Sequence, residues 1–131
     1  KLKYLDEWNR QRRHHASTYD RHFENIPEID VIKDPPWSKG VYHLYVIKVK
    51  NRDQLQKYLS EKEIATGLHY PIPLHLQKAY QHLGYEHGDF PVSEQHAKEI
   101  LSLPMFPEIT EEQITFVVTG VKEFLSQKKL P

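Results

Sequence analysis

The stretch Gly67-Leu68-His69-Tyr70-Pro71-Ile72-Pro73-Leu74-His75 sets two histidines six residues apart, with two prolines, a tyrosine and three aliphatic side chains around them. Imidazole donates and accepts hydrogen bonds, binds metals and changes charge near neutral pH. The pair could therefore ligate a metal, work as an acid–base couple, or contact a ligand from a stiff wall. Pro71 and Pro73 lock φ and remove two backbone donors, so the segment cannot continue as a central strand. The same rigidity presents neighbouring side chains at little ordering cost. His69 and Tyr70 are then amphipathic donors suited to a sugar hydroxyl or a phosphate. A turn packed against its own helix accounts for these residues without a ligand, and on the residues alone it is the default reading.

The other candidate chemistry is thin. Nine histidines invite a metal reading, but none shows the helical i,i+4 spacing of a zinc pair, and there is no cysteine. His14 and His15 are adjacent and point different ways on a helix. His82 and His87 straddle a glycine turn, and two prolines separate His69 from His75. No metal site is expected. His43, among Val41, Tyr45 and Ile47, reads as a core histidine, with contact to a ligand at a strand edge as the alternative. The five glycines are isolated, so no phosphate-binding loop exists. No serine stands in a nucleophile-elbow context. The carboxylate pairs Asp6–Glu7 and Glu111–Glu112 fall at helix starts, where the dipole explains them. These residues contain no complete active site, and no catalytic residue is expected.

Composition excludes further classes. In 131 residues, eighteen basic side chains balance eighteen acidic ones, which gives no field for nucleic acid or membrane. The basic-looking Asn9–His15 stretch lies in a segment, residues 1–25, where six basic and four acidic side chains leave a net of +2. It is read as a solvated helix face. No apolar run approaches a membrane span and no signal peptide is present, so a cytoplasmic setting fits. The chain opens on Lys1 and runs straight into a helical pattern, which reads as a piece of a larger protein.

Several elements must position the His69 stretch. Leu5, Trp8, Arg12, His15, Tyr19 and Phe23 form one stripe of an amphipathic helix over about residues 2–24. Ile29–Lys33 is a short strand candidate, Asp34–Gly40 a loop, and Val41–Val49 the clearest strand, apolar on both faces. Asn51 with Gln54 predicts a capped helix to about Lys62, with Leu55, Tyr58 and Leu59 inward. Thr66–Tyr70 is a short strand, Leu74–Leu83 a short helix ending near Gly84, residues 92–101 another helix, and Leu101–Pro104 the last strand. Thr110 with Gln113 is a second capping box, opening a final helix whose buried face is Ile114, Val117, Val118, Val121 and Leu125. The order predicts a single small α/β domain, a two-layer sandwich with helices packed on a short, mainly antiparallel sheet.

Three stretches carry a resemblance: "LDEWNRQRRHHASTYD", "YHLYVIKV" and "TGLHYPIPLHLQKAYQHLGYEHGDFPVSEQHAKEILSLPMFPEIT". They resemble the C-terminal part of DegT/DnrJ/StrS-type nucleotide-sugar aminotransferases across nearly the whole chain. HYP, PLHLQ, AY, LGY, GDFP, SE and LSLP arrive in family order. The resemblance implies a homodimeric parent enzyme dependent on pyridoxal phosphate (PLP), moving an amino group from glutamate to a keto nucleotide sugar, and the HYPIPLHLQ version looks most like members acting on 3-keto sugars. It implies residues 1–25 as a linking helix and 26–131 as the small domain, a C-terminal fragment. The lysine that binds PLP belongs to another domain, so this chain alone is expected to be inactive and to hold no cofactor. His69 and Tyr70, then His75 and Gln77, match the family's substrate side. Arg13, with Trp8, Ala16 and Tyr19, matches a W-x4-R-x2-A-x2-Y pattern whose arginine is taken as structural, at a domain or subunit boundary. Ile64-Ala65-Thr66 departs from the family, which often has glycine before the threonine. The rival reading is a non-catalytic relative that binds a nucleotide sugar or a protein partner.

Overall fold

A computed structural model describes residues 1–127. After a single 3-10 turn at Leu2–Tyr4 come α1 (Leu5–Phe23), β1 (Ile29–Val31), β2 (Tyr45–Val49), α2 (Arg52–Glu61), α3 (Pro91–Glu99), β3 (Ile100–Leu103) and α4 (Glu111–Gln127). The sheet is antiparallel throughout, in the order β1-β2-β3. Ile47 stands opposite Val31 on one side and Leu101 on the other. Because side chains alternate along a strand, Tyr45, Ile47, Val49, Leu101 and Leu103 share a buried face. Tyr19 and Phe23 of α1, Leu55 and Leu59 of α2, and Ile114, Val118 and Val121 of α4 close that core. The expected α/β architecture is present: a short antiparallel sheet with helices packed on it. No helix among the described residues is long and apolar enough to cross a membrane.

Polar ties lock the layers where apolar packing alone would slide. Tyr19 stacks on Tyr45 at 4.6 Å between ring centroids. The Tyr19 hydroxyl donates to Pro104 O at 3.0 Å, and the Tyr45 hydroxyl donates to Asp20 at 2.7 Å. Burial pushes both phenols upward in pKa, and the Asp20 carboxylate adds to the effect at Tyr45. His15 Nε2 donates to Pro107 O at 2.8 Å, tying α1 to the approach of α4. Arg52, buried at the start of α2, donates to Ile100 O at 2.9 Å and so joins α2 to β3.

Several boundaries differ from the sequence reading. The strand expected over 41–49 begins only at Tyr45. Tyr42 lies at φ 48°, outside extended backbone, and Asp34 gathers the preceding loop by accepting from Gly40 N at 2.8 Å and the Tyr42 hydroxyl at 3.2 Å. His43 is consequently exposed and is not a core histidine. The Thr110 box is formed as expected, with Thr110 N donating to Gln113 Oε1 and Gln113 N to Thr110 Oγ1. The Asn51 box is not. Asn51 takes a left-handed conformation with no side-chain cap, and its carbonyl accepts from Gln54 N and Leu55 N instead. The amphipathic stripe of α1 is fully buried only from His15 onward. The helix expected at 74–83 is two 3-10 turns, Leu74–Leu76 and Lys78–Leu83, separated by extended Gln77; Gly84, at φ 74°, ends the second as expected.

Candidate functional site

The site begins at the outer edge of β3. Thr66–Tyr70 does not form the expected strand. It makes one antiparallel bridge, with Gly67 N donating to Ser102 O at 3.0 Å and Ser102 N to Gly67 O at 2.9 Å. Two residues on, the chain turns back on itself, and His69 Nδ1 lies 2.9 Å from Ser102 Oγ. The imidazole lies across Gly67: a Cβ there would sit 2.5 Å from His69 Cε1, so the close approach requires glycine. The His69–Tyr70 peptide is cis. Tyr70 meets the His69 ring edge-on at 5.7 Å between centroids and is itself 72% exposed.

Beyond Pro71 the segment lines a groove of about 430 Å³, whose walls include Tyr70, Ile72, His75, Gln77, Phe90 and His96. His75 is buried in its wall. Its ring packs on Phe90 at 4.8 Å between centroids, and Nε2 lies 3.1 Å from Glu94 Oε1. Glu94, in the first turn of α3, is a hub. It also accepts from Gly88 N at 2.8 Å and Phe90 N at 3.4 Å, and its second oxygen lies 3.4 Å from His87 Nδ1. Donation from the Gly88 N–H, helped by His75, His87 and Phe90, holds its carboxyl down at about 2. Gln77 Nε2 donates to Ile72 O at 3.3 Å, which closes the turn around the prolines.

Tyr70, His75 and Gln77 thus share one groove, and His69 stands beside it on the sheet edge. The exposed surface of His75 is small, so what it offers a ligand is a ring edge and a fixed shape. Sequence reasoning missed Glu94, Phe90 and Ser102. An acidic residue in the first turn of a helix is a recognisable signal for Glu94, although the dipole alone explains it. Ser102 carries no such signal, because only the pairing register places it under His69.

A larger depression of about 550 Å³ lies between α1 and β1. Its three aspartates are already engaged: Asp34 holds the loop, Asp20 the Tyr45 hydroxyl, and Asp30 pairs with Lys48 at 2.8 Å. Among the described residues no cluster of three histidines or carboxylates is placed to hold a metal ion.

The chain belongs to the DegT/DnrJ/EryC1/StrS aminotransferase family, whose profile matches residues 1–122. It is 41% identical over 124 residues to the dTDP-3-amino-3,6-dideoxy-alpha-D-galactopyranose transaminase of Aneurinibacillus thermoaerophilus, covering 95% of this chain and 33% of the relative. It is 47% identical over 127 residues to a "pleiotropic regulatory protein" of Geobacillus stearothermophilus, covering 95% of this chain and 34% of the relative. An X-ray crystal structure of S. venezuelae DesV in complex with a ketimine intermediate superimposes with a TM-score of 0.90 at 33% identity, over 94% of this chain and 33% of that one. The chain therefore spans about a third of the length of these relatives.

Proposed function

We propose that this chain is the small, C-terminal domain of a PLP-dependent aminotransferase that moves an amino group from glutamate to a keto nucleotide sugar, with a 3-keto sugar the favoured substrate. Residues 1–25 serve as the linking helix and 26–131 as the domain proper, in a cytoplasmic homodimer. The observation that carries this reading is the groove: Tyr70, His75 and Gln77 on its wall and His69 beside it, in a chain whose transaminase relative from A. thermoaerophilus is 41% identical.

The groove lining contains neither a lysine to form an imine nor a carboxylate to pair with a pyridine nitrogen. Lys48 and Lys62 are committed to Asp30 and Glu123 at 2.8 and 2.7 Å. These residues do not form a cradle for PLP, which would be held by the rest of the enzyme and supply the electron sink there. The role left to this chain is recognition. Tyr70 and His69 offer donors to sugar or phosphate oxygens, and the proline-stiffened backbone holds them ready before binding. Phe90 and Ile72 exclude water from one side of the ligand.

Steady-state kinetics of His69→Ala in the full-length enzyme tests the reading. The expected loss in kcat/KM for the nucleotide sugar is about 5- to 150-fold, the scale of an unpaired polar partner, with a smaller effect on the glutamate half-reaction. Wild-type kcat/KM for the sugar would reduce His69 to a packing residue. The name of the G. stearothermophilus relative supports a second reading, a regulatory member that binds a nucleotide sugar or a protein without turnover. Replacing the PLP-attachment lysine in the remaining two thirds of the protein separates them: a regulator would keep its function without it.

A further inference from the structure

Ser102 is the residue of β3 that pairs with Gly67, and only 5% of its surface is exposed. Its backbone is fixed by both bonds of that bridge, so its Cα–Cβ bond has a defined direction. Register puts its side chain on the sheet face opposite Leu101 and Leu103, the face over which the 67–70 segment folds. Among the described residues, His69 Nδ1 is the partner of this hydroxyl, at 2.9 Å, and it has no other. A buried O–H needs an acceptor, since leaving it unpaired costs its full desolvation. With the hydroxyl donating, Nδ1 is the bare nitrogen and the ring proton sits on Nε2. Gly67 fixes the remaining freedom, because the Cε1 edge of the ring occupies the space a side chain there would fill.

We propose that Ser102 is a positioning residue for His69. It holds the imidazole as the Nε2–H tautomer, aimed as a donor at an acceptor oxygen of the ligand, a phosphate or carbonyl oxygen. Among the described residues Nε2 itself has no partner, which leaves it for that oxygen. A hydrogen-bond partner on one ring nitrogen fixes what the other can do, as second-layer partners do for histidines that bind metals. This inference rests on the reading that His69 faces the substrate, but it concerns a contact that can be measured without substrate.

The experiment is long-range ¹H–¹⁵N correlation NMR of the ¹⁵N-labelled 131-residue chain at a pH where imidazoles are neutral, with His69→Gln assigning the ring signals. Wild type is expected to show an unprotonated Nδ1, a protonated Nε2 and a strong contact between His69 Hε1 and the Gly67 α-protons. In Ser102→Ala, loss of one neutral hydrogen bond should reduce the held orientation about fivefold relative to the free one. The Nδ1 shift should move and the contact to Gly67 weaken, while the backbone amide pattern elsewhere stays in place. Ser102→Thr, which keeps the hydroxyl, should restore both signals. Gly67→Ala should displace the ring even with Ser102 present. A protonated Nδ1 in wild type, or an unchanged ring in Ser102→Ala, overturns the proposal. If the ring is freed in Ser102→Ala but nucleotide-sugar kinetics of the full-length enzyme do not change, the positioning stands and the substrate role of His69 falls.

Discussion

Glu94 shows how one carboxylate can set the shape of a groove wall. Two backbone N–H groups and two imidazoles converge on it, and its carboxyl is held down at about 2. Since the folded value lies below the ordinary 4.5, the stability this ionised group contributes is present above about pH 4.5 and is lost as pH falls toward 2. Glu94→Gln keeps an acceptor oxygen but has no charge to lose. Its melting temperature should therefore fall less between pH 6 and pH 3 than the wild type's, as followed by circular dichroism. An equal fall in both proteins would mean that other carboxylates set the acid limit. At this scale the sequence was legible only in part. His69, Tyr70, His75 and Gln77 stood out because of the prolines between them and the family resemblance. Their partners Ser102 and Glu94 lie 33 and 19 residues away in the chain from His69 and His75, and only tertiary pairing reveals them.

At the scale of elements, the local signals held where the backbone had no competing demand. The Thr110–Gln113 box caps α4 in both directions, and removing it through Thr110→Ala should cost about 1 kcal/mol of stability, measured by urea unfolding. Asn51 and Gln54 offered the same letters, yet Asn51 must reverse the chain directly after β2 and so adopts a left-handed conformation that aims its side chain away from capping. Asn51→Ala should not follow the Thr110 pattern: whatever it costs comes from φ 61° and not from a lost cap. The Val41–Val49 run was β-prone along its whole length, but Asp34 holds Gly40 and Tyr42 in the loop, and the strand starts only at Tyr45. Propensity could not have foreseen that, because Asp34 lies outside the run. The helix expected at Leu74–Leu83 became two tight turns because Gln77 is extended and its side chain reaches back to Ile72.

On the scale of the molecule, the core is small and much apolar surface lies outside it. Val92 is 69% exposed and Leu74 68%, while Tyr70, Tyr80, Tyr85 and Phe90 add aromatic surface along the same 70–92 stretch. Such patches mark contact surfaces in proteins that associate. The isolated chain should therefore self-associate with rising concentration, which sedimentation velocity would detect as an increasing mean sedimentation coefficient. A strict monomer throughout would count against an interface on this face. The edges of the sheet limit what form that association can take. At the outer edge of β3, the neighbouring segment pairs once, through Gly67, and then runs into Pro71 and Pro73, which have no N–H to give. At the other edge, β1 is three residues long and soon meets Pro35 and Pro36. Among the described residues, neither edge offers a long uninterrupted ladder on which a foreign strand could extend the sheet. Crowded copies of this chain can meet through side chains and come apart again, while the templated stacking that seeds fibrils finds little open edge to copy among the described residues.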